Sequence, residues 1–582
     1  MSDEQKERAP FGISTTKRAV SAGGEQKMYR MYKIGQRGNE STLELVDYMG
    51  SDETVERVAT LGLGRSIFPE NPEQSEFINH LAASGIYEPF KSVQLKFSMR
   101  VPIETALTFV YEPGVNVNEY SGRYSLMINS ALLPSPSEIS VCLSGEDRHE
   151  RAEQIRHLLT SGRENAYKNY QKLIDIDLAR ELSRIGLGID NDTQFFWKID
   201  LLTLANMYNR PLERTLHTRR YMDEVRELAK ATAPYAWHAL TYELKHKKIN
   251  LTMPSDDTIV DTSLNPSPWQ PKETLRVTVP SLEALLFQPK QFLNHGEFQV
   301  VDYMGDDSAF AQAARTSYGL GTKTLQDDKA LIRSLIRELH TSPIEMCEIA
   351  FESKAPVFID PRQAGRHRTL DNHGFMGYVP IGSQFYAIPD SEMKYQDRKN
   401  RQGRGKEMDA EDIIHARALL TDTLTAEQAN ALQLRSLGAP EDTVRLTKGV
   451  GFYTKRWRTG DTHNLGHFLR LRLDAHAQKE IRDYAQLIAH AVEAHTPIAY
   501  QAIQEYAIRG IHLTVKEQQL LHNLIQGRAL YEEGALDNLD NYKGVGFVVA
   551  VDKEDPDKGK KLTREGEAFK EKLKKLLHSQ GH

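Results

Sequence analysis

Two stretches of sequence decide the fold: Val46-Asp-Tyr-Met-Gly50 and Val301-Asp-Tyr-Met-Gly305, which are identical and lie 255 residues apart. Further matches keep nearly the same spacing, since the segment from Lys96 to Ile103 resembles the segment from Ala350 to Val357. An ordered series of matches at a nearly constant offset indicates a duplication. A period of about 250 residues makes each copy a domain, because solenoid repeats are far shorter.

The duplication predicts the domain organisation. Without it, a chain of 582 residues would suggest three or four domains, or two large ones. The stretch between the copies is rich in Pro, Ser, Asp and Thr, a composition typical of a linker. The predicted segments are an N-terminal tail (1–39), a first copy (40–245), a linker (246–290), a second copy (291–515) and a helical, basic C-terminal extension (516–582).

Hydrophobic periodicity predicts both strands and helices within a copy. In the second copy, residues 298–304 and 349–358 have the pattern of strands, and residues 327–339 have the pattern of a helix. A long helix is expected over residues 475–507, which Pro497 could interrupt. The fold class is therefore α+β (α/β mixed), with two tandem copies of one fold that each contain a mixed sheet and long helices.

Composition excludes several classes of protein. The 74 Lys and Arg against 80 Asp and Glu give a net charge of −6, which argues against nucleic-acid binding and against a membrane-surface protein. The two cysteines, Cys142 and Cys347, are far apart, so neither a disulfide framework nor a cysteine zinc site is expected. We find no secretory signal and no run of 18 apolar residues, so a cytoplasmic protein is expected.

The two copies differ in their polar clusters. The second copy carries Gln363-Ala-Gly-Arg366-His367-Arg368, and arginines of this kind suit a nucleotide or an anionic cofactor, although a solvated basic turn has the same composition. The first copy has Tyr111-Glu-Pro113 at that place. Just downstream, its stretch from Asn118 to Ser125 contains a Ser-Gly-Arg turn, which could hold a phosphate or be an ordinary glycine turn.

Together these stretches resemble the two halves of one signature of the flavin-dependent thymidylate synthases, R-H-R followed by N-E-x-S-x-R-Y. The second copy adds Leu339-His-Thr-Ser-Pro-Ile-Glu345, which is similar to the family segment G-H-x-T-P-x-E. It also contains Leu471-Arg-Leu-Asp-Ala-His-Ala-Gln-Lys-Glu-Ile481, which resembles the family helix L-R-x-D-x-H-A-Q-x-E-I. The first copy resembles the family more weakly, because its corresponding helix lacks this pattern.

The resemblance implies a function. Enzymes of this family are homotetramers that convert dUMP to dTMP, with FAD as cofactor and with NADPH and methylenetetrahydrofolate as co-substrates. The one-carbon unit is transferred to C5 of the uracil ring, the reduced flavin supplies the hydride, and no enzyme cysteine attacks the ring. We therefore expect a flavoprotein methyltransferase of nucleotide biosynthesis that binds a pyrimidine nucleotide.

The resemblance also implies site residues. Arginines could stabilise the negative charge that builds on the ring carbonyls, and this is the expected catalytic role of Arg366 and Arg472. The expected cofactor contacts are His340, Ser342, Arg366, His367, Arg368, Asp461, His463, His467 and His476. The expected substrate contacts are Gln363, Arg445, Arg472, Glu119, Ser121, Gly122 and Arg123. Ser121 has no base nearby in sequence, so a phosphate or positioning role is favoured over nucleophilic attack.

Three of these positions depart from the family, which has Asn, Arg and Asn where this chain has Asp461, His463 and His467. An aspartate near a diphosphate is unfavourable unless it is paired, so flavin binding depends on the surroundings of Asp461. His463 and His467 also have the i, i+4 spacing of metal ligands, with His476 further on. No Glu follows the first His, so substituted flavin contacts or surface histidines are favoured and no metal is expected.

Neither copy holds the whole signature, but the missing halves complement each other. We hypothesise a composite site that pairs Arg366–Arg368 of a second copy with Glu119–Arg123 of a first copy. The reverse pairing, of Tyr111–Pro113 with the loop around Met376, should be inactive. One chain would replace two subunits, so that a homodimer mimics the tetramer.

Two other functions remain open from sequence. One is C5-methylation or hydroxymethylation of another pyrimidine nucleotide, which keeps the fold and the flavin. The other is a non-catalytic nucleotide-binding or scaffold protein, which the split signature would also fit.

Overall fold

The structure is a computed structural model that describes residues 28–29, 31–36, 39–63, 73–121, 125–131, 133–210, 216–247, 274–275, 278–317, 327–359, 373–376, 384–396, 404–439, 443–444, 447, 449–475, 477–510, 513, 515, 548–550 and 560–562. The chain divides into two compact units, residues 1–503 and 504–582. The first unit contains nearly all of both predicted copies.

The first unit contains fourteen strands in its described residues. Those before residue 280 are β1 (Met28–Tyr29), β2 (Met31–Gln36), β3 (Asn39–Met49), β4 (Gln94–Pro102), β5 (Asn116–Glu119), β6 (Asp192–Asp200) and β7 (Thr274–Leu275). The others are β8 (Lys290–Phe292), β9 (Gly296–Met304), β10 (Glu348–Pro356), β11 (His373–Met376), β12 (Lys394–Gln396), β13 (Arg404–Glu407) and β14 (Tyr453–Asp461).

The helices follow the same division. The first group is α1 (Asp52–Leu63), α2 (Gln74–Ala83), α3 (Ile103–Val110), α4 (Pro136–Val141), α5 (Arg148–Asp175), α6 (Arg180–Ser183), α7 (Leu201–Asn209), α8 (Leu216–Thr232) and α9 (Pro234–Lys247). The second group is α10 (Pro280–Glu283), α11 (Asp307–Ser317), α12 (Asp328–Arg337), α13 (Thr341–Ile344), α14 (Ala410–Ser436), α15 (Thr462–Arg472), α16 (Lys479–His495) and α17 (Pro497–Ile503). Short 3₁₀ turns lie at Glu88–Ser92, Arg184–Gly186 and Asp390–Glu392.

The two copies have the same sheet topology. The first sheet has the order β2-β3-β4-β6-β5 and the second has the order β8-β9-β10-β14-β11, with every neighbouring pair antiparallel. The central strands β4 and β10 are buried along nearly their whole length, so each sheet is covered on both faces. The shared topology supports the duplication, and the mixture of helices and sheets confirms the α+β class.

A nearly twofold interface joins the copies. The Asp47 carboxylate accepts a hydrogen bond from the Gly305 amide at 2.8 Å, and the Asp302 carboxylate accepts one from the Gly50 amide at 2.9 Å. Both glycines have positive φ angles, 84° for Gly50 and 78° for Gly305, which only glycine adopts without strain. The apolar part of the interface is formed by Met49, Val58, Val301, Met304, Ala350 and Trp457.

Equivalent aspartates hold equivalent helices. Asp52 accepts hydrogen bonds from the Tyr235 and Ala236 amides at the start of α9. Its counterpart Asp307 accepts bonds from the first amides of α17, at 2.9 and 3.0 Å. The long helix expected over residues 475–507 is therefore two helices, α16 and α17, which are separated at Thr496. Pro497 begins the second helix because its missing N–H needs no partner there.

The predicted segment boundaries differ from the observed elements in several places. Strand β2 lies within the predicted N-terminal tail, and α10 lies within the predicted linker. The second unit, described by itself, contains a π-helical turn at Gln504–Ile508 and the antiparallel strands β15 (Val548–Ala550) and β16 (Lys560–Leu562). The helix expected near the C-terminus does not include residues 560–562, and its remaining residues lie outside the described part of the chain.

Candidate functional site

Side chains of both copies meet where β5 of the first copy lies against α13 of the second. The Ser342 hydroxyl donates a hydrogen bond to Asn118 Oδ1 at 3.0 Å. The Asn118 amide group in turn donates to the Ala313 carbonyl in α11, and the Asn118 side chain is buried. Because Asn118 directly precedes Glu119, this contact joins the predicted nucleotide segment of the first copy to the predicted flavin segment of the second.

Two buried lysines of the first copy extend this contact. Lys198 Nζ in β6 donates to the Glu345 carbonyl at 2.8 Å, and Lys96 Nζ in β4 donates to the Met346 carbonyl at 3.2 Å. Lys198 also lies 2.9 Å from the Glu348 carboxylate. The Glu345 carboxylate accepts from Asn116 Nδ2 at 2.9 Å. The turn after α13 is therefore bound to the first copy through backbone and side chain.

Helix α15 brings the predicted histidines to the same region, because it contacts α13 and its first amide donates to the Cys347 carbonyl at 3.1 Å. His463 is half-buried and His467, one turn later, is exposed. Burial, together with the nearby His463 and Arg470, lowers the pKa of His467 below its usual value of 6.5. At neutral pH the His467 ring is therefore an uncharged hydrogen-bonding group.

Asp461 has a structural role that the sequence did not indicate. Its side chain is fully buried, Oδ1 accepts from the Asn464 amide and Oδ2 accepts from Asn464 Nδ2, each at 2.8 Å. It is thus the N-cap of α15, as Asp200 is the N-cap of α7. Both oxygens of the Asp461 carboxylate therefore bind the start of its own helix, and the expected cofactor contact of Asp461 stays a prediction.

Three acidic side chains of this region are engaged by neighbours: Asp461 caps α15, Glu345 binds Asn116 and Glu348 pairs with Lys198. His340 and His467 are exposed and His463 is half-buried, and their imidazole groups can donate hydrogen bonds to an anionic ligand. These residues therefore fit a diphosphate-bearing cofactor, and the aspartate at position 461 does not oppose one.

The remaining predicted residues fall into two groups. Glu119 is exposed and accepts from Thr193 Oγ1 at 2.8 Å, Ser121 and Arg472 are partly buried, and His340 is exposed. The residues that lie outside the described part of the chain are Gly122, Arg123, Gln363, Arg366, His367, Arg368, Arg445 and His476. Among the expected residues that the structure describes, Ser342 lies in α13. This helix contacts β5, the strand that carries Glu119, and α15, the helix that carries His463 and His467.

The opposite side of the interface has a related arrangement with different residues. There the 3₁₀ turn at Glu88–Ser92 contacts β11 of the second copy. Counted from the caps Asp200 and Asp461, the positions of His463 and His467 are occupied by Leu202 and Asn206. Helix α7 therefore has no imidazole group at these two positions.

The sheet registers also revise one alignment. Asn116 in β5 lies opposite Lys198, and His373 in β11 lies opposite Thr459, the equivalent of Lys198. The structure therefore matches His373 with Asn116. Alignment of the sequences alone, with His373–Tyr378 placed against the stretch that begins at Asn118, matches His373 with Asn118 instead.

Among the described residues, no group of three or more His, Cys, Asp or Glu side chains could hold a metal ion. His476, the third member of the histidine set, lies outside the described residues. No described helix has the length and apolar character needed to cross a membrane.

Sequence reasoning missed the residues that join the copies, Asn116, Asn118, Lys96 and Lys198. Each lysine lies between two buried apolar residues of its strand, Leu95 and Phe97 around Lys96 and Trp197 and Ile199 around Lys198. A buried lysine requires a partner, but the sequence does not identify that partner.

A profile of the family described as Thy1, Thymidylate synthase complementing protein, matches residues 44–235 and 299–498. The chain belongs to this family. Each matched segment lies inside one predicted copy, and together they cover more than half of the chain. The prediction of the family and of its tandem duplication is confirmed by this double match.

Similar proteins of the family include a flavin-dependent thymidylate synthase of Rickettsia conorii, 38% identical over 274 residues, which cover 45% of this chain and 93% of the relative. One of Ruegeria pomeroyi is 38% identical over 269 residues, which cover 45% of this chain and 87% of the relative. A crystal structure of the UMP/dUMP methylase PolB from Streptomyces cacaoi is 22% identical, with a TM-score of 0.30, over 35% of this chain and 95% of that one. Family relatives thus have about half the length of this chain.

Proposed function

We propose that the protein is a flavin-dependent thymidylate synthase that converts dUMP to dTMP with methylenetetrahydrofolate and NADPH. The observation that carries this proposal is the Ser342–Asn118 contact in a chain of this family. It supports a site shared between the two copies, where the first copy supplies the nucleotide loop and the second supplies the cofactor side. FAD, when bound and reduced by NADPH, supplies the hydride.

The residues would act in the following roles. Arg366 and Arg472 would stabilise negative charge on the uracil carbonyls, a role in which fixed donors contribute strongly because they need no reorganisation. Glu119, Ser121, Gly122 and Arg123 would hold the nucleotide, together with Gln363 and Arg445. His340, Ser342, His367, Arg368, His463, His467 and His476 would contact the cofactor, while Asp461 fixes the start of α15.

A substitution tests the role of Arg472. We expect Arg472→Ala to lower kcat/KM for dUMP by about 100-fold or more, because one charge-stabilising donor is lost. Arg470→Ala is the matched control, since Arg470 is exposed in the same turn of α15. Formation of dTMP is measured by chromatography. Equal losses in both variants would show that the effect is not specific to Arg472.

The number of sites tests the composite arrangement. We expect one tightly bound FAD per chain, because one side of the interface carries the imidazole groups and the other carries Leu202 and Asn206. Titration of the apoprotein with FAD, followed by absorbance, measures this number. Two equivalent FAD per chain would contradict the composite site. A protein that binds no FAD and leaves NADPH unoxidised would contradict the proposed function itself.

We propose further that the protein works in the cytoplasm and that two chains form a homodimer. The equivalent helices α5 and α14 support the homodimer, because both carry exposed apolar side chains: Leu158, Leu159, Ile414, Leu419, Leu420 and Leu432. Large apolar side chains that are exposed in one chain are typical of protein interfaces when they adjoin one another. Light scattering on the purified protein should give twice the mass of one chain, and a monomer would contradict the pairing. Product analysis with dUMP, UMP and dCMP would test the nucleotide.

A further inference from the structure

The interface between the copies is symmetric in its aspartate–glycine bonds but not in its lysines. Lys96 in β4 corresponds to Ala350 in β10, and Lys198 in β6 corresponds to Thr459 in β14. Glu348, the partner of Lys198, corresponds to Gln94. One side of the interface therefore has a buried ion pair where the other side has Thr459 and Gln94.

The difference changes how the two equivalent turns are held. In the first copy, the Lys91 carbonyl accepts a hydrogen bond from Gln94 of the same copy, at 3.0 Å. In the second copy, the equivalent Glu345 carbonyl accepts from Lys198 of the other copy, at 2.8 Å. Lys96 adds a bond to the next carbonyl, that of Met346. The turn after α13, the helix that carries Ser342, is thus held by side chains of the first copy. The equivalent turn of the first copy is held by a side chain of its own copy.

Lys198 also lies close to the start of α15. Its side chain is 1% exposed and that of Glu348 is fully buried. Burial would lower the pKa of Lys198, but the carboxylates of Glu348 and Asp461 outweigh burial and raise this pKa above its usual value. The ammonium group is therefore charged, and it lies between the turn of Ser342 and the N-cap of the helix that carries His463 and His467.

We propose that Lys198, assisted by Lys96, is a positioning residue by which the first copy sets the geometry of the cofactor side of the site. This inference rests on the proposed function, because the positioned residues are the expected flavin contacts. The first copy then contributes more than a nucleotide loop: it also determines the placement of the second-copy residues opposite that loop.

The test uses a double variant of the full chain, Lys198→Thr with Glu348→Gln. A single change of Lys198 would leave Glu348 buried without its cation and could prevent folding. The double variant installs the Thr and Gln that already occupy the equivalent place on the other side of the interface. The matched control is Arg57→Gln with Glu352→Gln, which removes another ion pair between the copies, one between α1 and β10.

Two measurements follow. Hydrogen exchange of the peptide over residues 339–346 should become at least tenfold faster in the double variant Lys198→Thr with Glu348→Gln. Exchange over residues 88–92 should stay unchanged and serves as an internal reference. The Kd for FAD should rise at least tenfold, with a changed visible spectrum of the bound flavin, while the control changes either value less than twofold.

Unchanged exchange over residues 339–346 would overturn the inference, and so would faster exchange with the same FAD affinity and spectrum. A wild-type protein that binds no FAD would instead overturn the proposed function. The exchange measurement would still decide in that case whether Lys198 holds the turn.

Discussion

Leu339 has a backbone conformation that is unusual for a residue with a side chain. Its φ angle is 58°, its side chain is 79% exposed, and it directly precedes His340. The family segment G-H-x-T-P-x-E has glycine at this position. The left-handed conformation costs about 1–2 kcal/mol when a Cβ is present, and an exposed leucine offers few contacts in return.

We expect Leu339→Gly to raise the free energy of unfolding by about 1 kcal/mol, after allowance for the greater entropy of glycine in the unfolded chain. Urea denaturation measures the change. Leu437→Gly is the control, because Leu437 also follows a helix and is 75% exposed but has a φ of −84°. That variant should be neutral or destabilised. A loss of stability in Leu339→Gly would contradict the strain.

Asp307 gives a prediction about pH. Burial raises its pKa from 3.8 to about 6, although the amides of Ile498 and Ala499 favour the charged form. The folded protein therefore retains a proton that the unfolded chain has lost, so the free energy of unfolding should fall as pH rises from about 4 to 6. The loss due to Asp307 is about 3 kcal/mol at most.

Urea denaturation between pH 4 and 7 tests this expectation with Asp307→Asn, whose stability should depend less on pH. Asp327→Asn is the control, because Asp327 caps α12 through the exposed Lys329 amide and its replacement should keep the wild-type dependence. Identical pH profiles for wild type and Asp307→Asn would refute the assignment.

Among elements, α16 depends on a partner far from it in sequence. Its Glu480 is 1% exposed and accepts two bonds from Arg404 in β13, at 2.7 and 2.9 Å, and one from Tyr386 at 3.0 Å. Burial opposes the charge of Glu480, but Arg404 outweighs it and lowers the pKa of this carboxyl. Glu480 belongs to the family helix pattern, and the structure shows that it anchors α16.

We expect Arg404→Met to lower the free energy of unfolding by about 3 kcal/mol, because it leaves a buried carboxylate without its cation. The double variant Arg404→Met with Glu480→Met should recover most of that loss, since no unpaired charge remains. Thermal denaturation of the wild type and both variants measures the change in stability. An unchanged single variant would show that solvent already screens Glu480.

Much at the element scale could be predicted from sequence, for a physical reason. The apolar patterns over residues 298–304 and 327–339 identify β9 and α12, because side-chain burial has a local period. The N-cap role of Asp461 also depends on neighbouring residues in sequence, but the family resemblance implied a cofactor contact at this position. The two-residue shift between β5 and β11 could not be predicted, because register depends on which strand lies beside them.

At the scale of the whole molecule, the reciprocal bonds of Asp47 and Asp302 join the two copies across their interface. Such long-range pairs have no signature in sequence, since no spacing rule links residue 47 to Gly305 or residue 198 to Glu348. The duplication itself was predictable, because both copies retain the turn that contains these aspartates and glycines. The asymmetric contacts between the copies were not predictable.

We expect Asp47→Asn and Asp302→Asn each to lower the free energy of unfolding by about 1–3 kcal/mol. Both oxygens of each carboxylate accept a backbone N–H, so the amide group of Asn would place a donor against one of them. The two losses should be similar, as the bonds are reciprocal. Glu76→Gln, on the exposed face of α2, is the control for loss of one negative charge. Urea denaturation decides, and a loss in only one of the two variants would contradict the twofold relation.

The covalent fusion of the copies has an evolutionary consequence. In a pair of identical subunits, every substitution enters both sides of the interface, so a change that improves one place and harms the other is eliminated by selection. Once the halves are encoded separately, Lys198 and Glu348 can be kept on one side while Thr459 and Gln94 remain on the other. Each half is then free to specialise, and the redundant side can lose its chemistry without loss of the fold.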